Sequence, residues 1–173
     1  MGREIFFDLE TLRLSHEVSG GWSNIFQFGL AVAVTWDEQH AFRRWFEKDA
    51  KSLASELATY SRIITFNGNR FDFKVLQGYT SVETLYAKSL DLLADLHEKL
   101  MHRVRLDDLA RDTLGRAKTG SGEDVVRWWR AGLHEKVCKY CENDVRLLVH
   151  LVNFARKEGY VIIGSRRVPV NWR

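Results

Sequence analysis

The chain has 173 residues, 45% hydrophobic and 28% charged, with a formal net charge of +3 and a single proline, Pro169. Such a chain suits one globular domain over residues 1–173 with a sizeable core, and its lack of repeats and long charge runs sets aside solenoid and disordered classes. No apolar run approaches the roughly 18 residues of a membrane span and nothing resembles a signal peptide, so a soluble, intracellular (cytoplasmic) protein is expected, whose mild basicity permits a polyanionic partner without demanding one.

In chain order, Glu4–Asp8 reads as a short apolar strand, and the glycine- and serine-rich stretch Ser19–Asn24 as a loop. A long strand is expected over Ile25–Trp36, a turn at Asp37-Glu38-Gln39 and a third strand over His40–Phe46, which together predict an antiparallel meander. The pattern then changes. Ala50–Tyr60 is helical, with Leu53, Leu57 and Tyr60 on one face, and Arg62–Phe66 is a short strand ending at Asn67-Gly68. A short helix over Phe71–Gln77 and a fifth strand around Ala87–Leu90 follow. Asp91 or a neighbour then caps a helix to about Leu100, and Asp107 caps another. Gly115–Gly122 is expected to be the most flexible stretch. Glu123–Arg130 is a short helix and Leu133–Lys157 the longest, with a three-four periodicity running from Val137 to Val152. Two short strands, around Val161–Ile163 and Val168–Val170, suit a hairpin.

Three stretches supply acids that chemistry would use. Asp8 and Glu10, two apart on a strand, project to one side; alone, they also suit a solvent-facing pair. Asp72 opens a helix among Phe71, Phe73, Val75 and Leu76, where an acid must be paired, hydrogen-bonded or metal-bound, although simple helix capping competes. Tyr140 and Asp144, four apart on a helix, share a face that is otherwise apolar, and a plain core tyrosine is the competing reading. Carboxylates converging on one point repel each other, and the usual escape is divalent metal, which in pairs serves phosphodiester hydrolysis.

Other candidates weigh less. Cys138 and Cys141 have C-x-x-C spacing but no second ligand pair, so they read as structural, with Cys141 in the core. Capping and solvation account for Asp91, Asp107, Asp108 and Asp112, and His16 and His97 have no partner spacing. Arg43-Arg44, Arg103 with Arg105, Arg127 with Arg130, and Arg166-Arg167 are candidates for a basic rim around an acidic pocket.

The order Asp8-x-Glu10, then Asn67-Gly-x-x-Phe-Asp72, then Tyr140-x-x-x-Asp144 resembles the DEDD superfamily of 3′-5′ exonucleases in its tyrosine-bearing subgroup, over Phe6 to about Leu151. The proofreading domains of family A and B DNA polymerases and the ribonuclease D-like enzymes are similar. Leu106-Asp-Asp-Leu-Ala, the Lys118-Thr-Gly loop and Tyr140-Cys-Glu-Asn-Asp-Val145 give it the flavour of the YprB-like stand-alone domains. The sister subgroup has histidine five residues before its last Asp; here that position is Lys139.

The resemblance implies an α/β, ribonuclease H-like fold: a mixed five-stranded sheet, antiparallel meander then parallel strands, flanked by helices, with the first and fourth strands adjacent. It implies that Asp8, Glu10, Asp72 and Asp144 hold two Mg²⁺ or Mn²⁺ ions, with Asp8 bridging and Tyr140 orienting the attacking water. Hydrolysis would release nucleoside 5′-monophosphates from a single-stranded 3′ end of DNA or RNA. Thr11 and Leu12 would abut the terminal nucleotide, Asn67 would contact sugar or phosphate, Trp22 and Phe71 would stack on bases, and Lys118 would touch the backbone. Two other readings stand: a ribonuclease H-like endonuclease, and a nucleic-acid-binding domain with a silent site.

Overall fold

Alternation along the first strand decides the layering. In β1 (Glu4–Thr11), Ile5, Phe7 and Leu9 face one side of the sheet while Phe6, Asp8 and Glu10 face the other. A computed structural model describes residues 2–116 and 121–173. β1 lies in the middle of a five-stranded sheet with β2 (Leu30–Asp37), β3 (Ala41–Phe46), β4 (Arg62–Thr65) and β5 (Ser89–Asp91), in the order β3-β2-β1-β4-β5. The pairs β1–β2 and β2–β3 are antiparallel, and β1–β4 and β4–β5 parallel, as the α/β mixed-sheet expectation requires.

Two hydrophobic clusters cover the two faces. Ile5, Phe7 and Leu9 pack with Leu53 and Leu57 of α1 (Ala50–Ala58), Phe73 and Leu76 of α2 (Asp72–Gln77) and Leu85 of the one-turn α3 (Glu83–Tyr86). Phe6 packs on the opposite face with α4 (Leu92–Leu100), α5 (Leu106–Leu114), α6 (Gly122–Arg130) and the long α7 (His134–Glu158). A hairpin of β6 (Tyr160–Ile163) and β7 (Arg166–Pro169) completes that face, as the sequence pattern anticipates. Among the described residues no helix is long and apolar enough to cross a membrane.

Four expectations need correction. The second strand does not begin at Ile25: Gly21–Gln27 is a 3-10 segment, which also replaces the expected loop at Ser19–Asn24, and β2 starts at Leu30. Gly29, at φ 74°, is a left-handed break that a regular strand does not hold. The segment packs instead against the end of α2, so closely that a Cβ on Gly78 would lie 2.1 Å from the Phe26 carbonyl oxygen. The first strand runs past Asp8 to Thr11 because β2 goes on pairing with it, Glu10 opposite Val32 and then Thr11 opposite Leu30 across a register slip. Asp107 does not cap α5. Arg105 occupies the cap position, and Asp107 sits in the first turn, where the positive end of the helix dipole favours an acid. Lys118, and with it most of the stretch expected to be flexible, lies outside the described residues.

Candidate active site

β4 is shorter than β1. Its parallel pairing with β1 ends at Phe6 opposite Ile64, and the chain turns away after Thr65 through Asn67 and Gly68. Asn67 has φ 71°, and a Cβ on Gly68 would stand 2.3 Å from Thr65 Oγ1, so the turn needs a residue tolerant of the left-handed region followed by glycine. The turn delivers Asp72 to the place β4 has vacated. There the Leu9 N–H donates to Asp72 Oδ1 at 3.0 Å. The capping alternative for Asp72 is thus set aside: it is the first residue of α2, and the bond it accepts comes from β1.

Asp8 and Glu10 face α7, and the α7 residue that meets them is Cys141. Ligand atoms of Asp8, Glu10 and Cys141 lie within 4.8 Å of one another. The Cys141 Sγ is 3.5 Å from both Asp8 Oδ2 and the Asp8 carbonyl oxygen. Cys141 is fully buried, as the sequence suggests, but its neighbours are acids as well as core. Burial, followed by the charges of Asp8, Glu10 and Asp144, pushes its thiol pKa well up. Tyr140 and Asp144, both buried, lie one helical turn apart on α7, and the Tyr140 ring meets Trp128 of α6 edge-on at 6.0 Å.

The site is electrostatically crowded. Asp72 is buried, and burial first, then the Asp8 charge, raise its carboxyl pKa well above the usual range; the bond from Leu9 opposes this without prevailing. Asp8 and Asp144 line one hollow of about 340 Å³, together with Asn67, Arg103 and Arg105. Arg103 donates to the Asn67 Oδ1 at 3.1 Å, which leaves the amide NH₂ as the donor face of that side chain.

The carboxylates of Asp8 and Glu10 form a candidate group for a divalent ion. Among the described residues the group whose ligand atoms converge is Asp8, Glu10 and Cys141; Asp72 and Asp144 are not part of it, and burial holds Cys141 as the neutral thiol, a poor ligand for hard divalent ions.

The substrate candidates separate into groups. Trp22 is 67% exposed and forms a cluster with Phe28 at 5.7 Å and the half-buried Phe71 at 6.2 Å, one residue from Asp72. Phe26, 44% exposed, lies in the same 3-10 segment as Trp22, where the sequence pattern places a strand. Thr11 is buried and its hydroxyl donates to the Arg13 carbonyl oxygen. Leu12 is half-buried, and its carbonyl oxygen accepts from Arg130 at 3.2 Å.

Most of the expected basic rim is committed elsewhere. Arg43 pairs with Glu56 and Asp37, Arg44 with Glu135 and Glu142, Arg127 with Asp124, and Arg130 with Glu17, whose pKa the Arg130 bond holds down at about 2. Arg166 and Arg167 belong to the β6–β7 hairpin. Arg103 and Arg105 are the members that reach the hollow with Asp8 and Asp144.

A family model described as the RNase_H superfamily matches residues 5–156, which span β1 and almost all of α7. The chain belongs to the RNase_H superfamily. Among solved structures it is similar to the family B DNA polymerase from the hyperthermophilic archaeon Pyrobaculum calidifontis, with a TM-score of 0.66 at 14% identity. That match covers 90% of this chain and 25% of the polymerase, so the chain spans about a quarter of that protein's length. At such identity the likeness concerns the fold, and it agrees with the observed mixed sheet. No curated protein matches the sequence.

Proposed function

We propose that this RNase_H superfamily domain is a metal-dependent 3′-5′ exonuclease that removes nucleoside 5′-monophosphates from single-stranded nucleic acid. The observation that carries the proposal is the meeting of three distant acidic segments at the open end of β4: Asp8 and Glu10 from β1, Asp72 bonded to Leu9, and Asp144 on the hollow it shares with Asp8. Superfamily membership supports phosphodiester hydrolysis; the polarity and the release of mononucleotides rest on the tyrosine-bearing motif pattern.

In this reading Asp8, Glu10, Asp72 and Asp144 hold two Mg²⁺ or Mn²⁺ ions. Bound there, the ions would balance the crowded acids, acidify a water molecule and stabilise the leaving 3′ oxygen. The protein's own groups do the positioning. The Tyr140 hydroxyl, one turn before Asp144, orients the attacking water. Asn67, through its NH₂, and Arg103 present donors to phosphate or sugar oxygens in the hollow. Thr11 and Leu12 flank the terminal nucleotide, and Trp22 and Phe71 stack on bases. Lys118 is proposed as a backbone contact from its sequence position alone.

The test uses linear and circular single-stranded oligonucleotides, DNA and RNA, labelled at the 3′ or 5′ end, with Mg²⁺, Mn²⁺ or EDTA. The proposal expects stepwise loss from the 3′ end of linear substrates, intact circles, no reaction in EDTA, and none with Asp8→Ala. Cleavage of circles would establish the endonuclease reading instead. Binding without hydrolysis under every metal condition would leave the silent-domain reading.

A further inference from the structure

Helix capping explains Asp91 only in part. Its buried carboxylate accepts the N–H groups of Leu93 at 3.1 Å and Ala94 at 3.3 Å, which is ordinary N-cap behaviour at the start of α4. It also accepts two N–H groups from another part of the chain: Asn67 at 2.8 Å, through the same oxygen, and Asn69 at 3.1 Å, through the other. Neither of these serves the helix. Both belong to the turn between β4 and Asp72, and that turn carries the left-handed Asn67 and the obligatory Gly68.

We propose that Asp91 is a positioning residue, which fixes the Asn67–Asn69 turn from below and so sets Asp72 against β1 and Asn67 against the hollow. The arrangement is a chain of directional bonds. Asp91 grips the turn's main chain, Arg103 grips the Asn67 side chain from the solvent side, and Asp72 at the far end of the turn receives the Leu9 N–H. Between them the Phe71 and Phe73 N–H groups close onto the carbonyls of Asn67 and Gly68, both at 3.0 Å, so main-chain bonds tie the turn to the start of α2. A carboxylate that touches neither ion nor substrate thus decides where a metal-binding carboxylate stands. This proposal rests on the metal-site reading given above for its consequence, though not for its geometry.

Asp91→Ser separates the two duties. Serine is a good N-cap, so Leu93 and Ala94 keep a partner, but its side chain is too short to reach Asn67 and Asn69. Amide exchange by NMR then reads the anchor directly. The Leu9 N–H, which donates to Asp72, should exchange at least about tenfold faster in Asp91→Ser, as expected for a bond to a charged acceptor that has been loosened. Core amides of β2 should keep their protection. Calorimetric titration with Mn²⁺ should show affinity lower by about 10–100-fold, as is usual when support behind a ligand is removed. Asp91→Asn, with its oxygen toward Asn67, Leu93 and Ala94, should rescue most of both effects.

Unchanged Leu9 protection in a folded Asp91→Ser protein would overturn the proposal. Faster Leu9 exchange in a chain whose wild type binds no Mn²⁺ would uphold the positioning role and count against the nuclease reading instead. Should Asp91→Ser fail to fold, Asp91→Asn decides by the same measurements: it loses only the Asn69 bond, so some acceleration at Leu9 supports the anchor and none refutes it.

Discussion

Replacing Asp72 by asparagine tests the crowding of acids most directly. Asparagine keeps the shape of the side chain and an oxygen to accept the Leu9 N–H, so the bond worth about 0.5–1.5 kcal/mol is retained. What is lost is a carboxylate whose pKa burial and the Asp8 charge raise well above its ordinary value. A raised folded-state pKa means that the stability linked to Asp72 is present in full below the unfolded value of 3.8 and declines as pH rises through the folded value. The metal-free wild type is therefore penalised near neutral pH, and Asp72→Asn is not. Relief of an unbalanced buried charge is worth on the order of 1–2 kcal/mol. For a domain of this size that corresponds to a melting temperature higher by roughly 2–8 °C.

Metal reverses the order. At a concentration 100 times its dissociation constant, an ion that binds only the folded state adds about 2.7 kcal/mol, or roughly 5–11 °C, to the wild type. On the proposed reading the variant lacks a ligand, so it should gain much less. The assay is thermal unfolding of both proteins in EDTA and in Mn²⁺, at pH values from 5 to 8. The mutant's advantage in EDTA should grow with pH, and the wild type's gain in Mn²⁺ should exceed the mutant's. A mutant less stable than wild type in EDTA at every pH, or an equal response to Mn²⁺, would refute the reasoning.

Two further outcomes follow from the same geometry. Tyr140→Phe preserves the ring that meets Trp128 and should unfold within about 2 °C of wild type, while kcat on single-stranded substrate falls on the order of 10²-fold; an unchanged kcat would remove the hydroxyl from the reaction. Trp22→Ala, at a side chain 67% exposed, should leave stability nearly unaltered and raise KM by an amount corresponding to about 1–3 kcal/mol, measured on short oligonucleotides.

The parts of the fold that local pattern controls were legible. The acids of β1 share a face because strands alternate, the α7 stripe follows the helical period, and Asp91 caps where a short polar residue precedes an apolar helix. What escaped depends on contacts between distant residues. Ile25 and Phe26 look like strand residues, yet packing on α2 and the break at Gly29 claim them for a 3-10 segment. Arg43 and Arg44 look like a rim for a polyanion, and carboxylates of α1 and α7 neutralise them. Cys141 is spaced as a core residue, and nothing in that spacing shows that Asp8, 133 positions away, lies against its sulfur. The second duty of Asp91 is equally silent, since Asn67 is 24 positions upstream.

The brevity of β4 has a consequence for any change of length in this region. Two more residues of parallel ladder after Thr65 would offer the Leu9 N–H a carbonyl partner from the neighbouring strand, and Asp72 would be evicted. Hydrolysis, on this view, depends on an edge left deliberately unfinished: the sheet stops zipping early, and an acid occupies the berth.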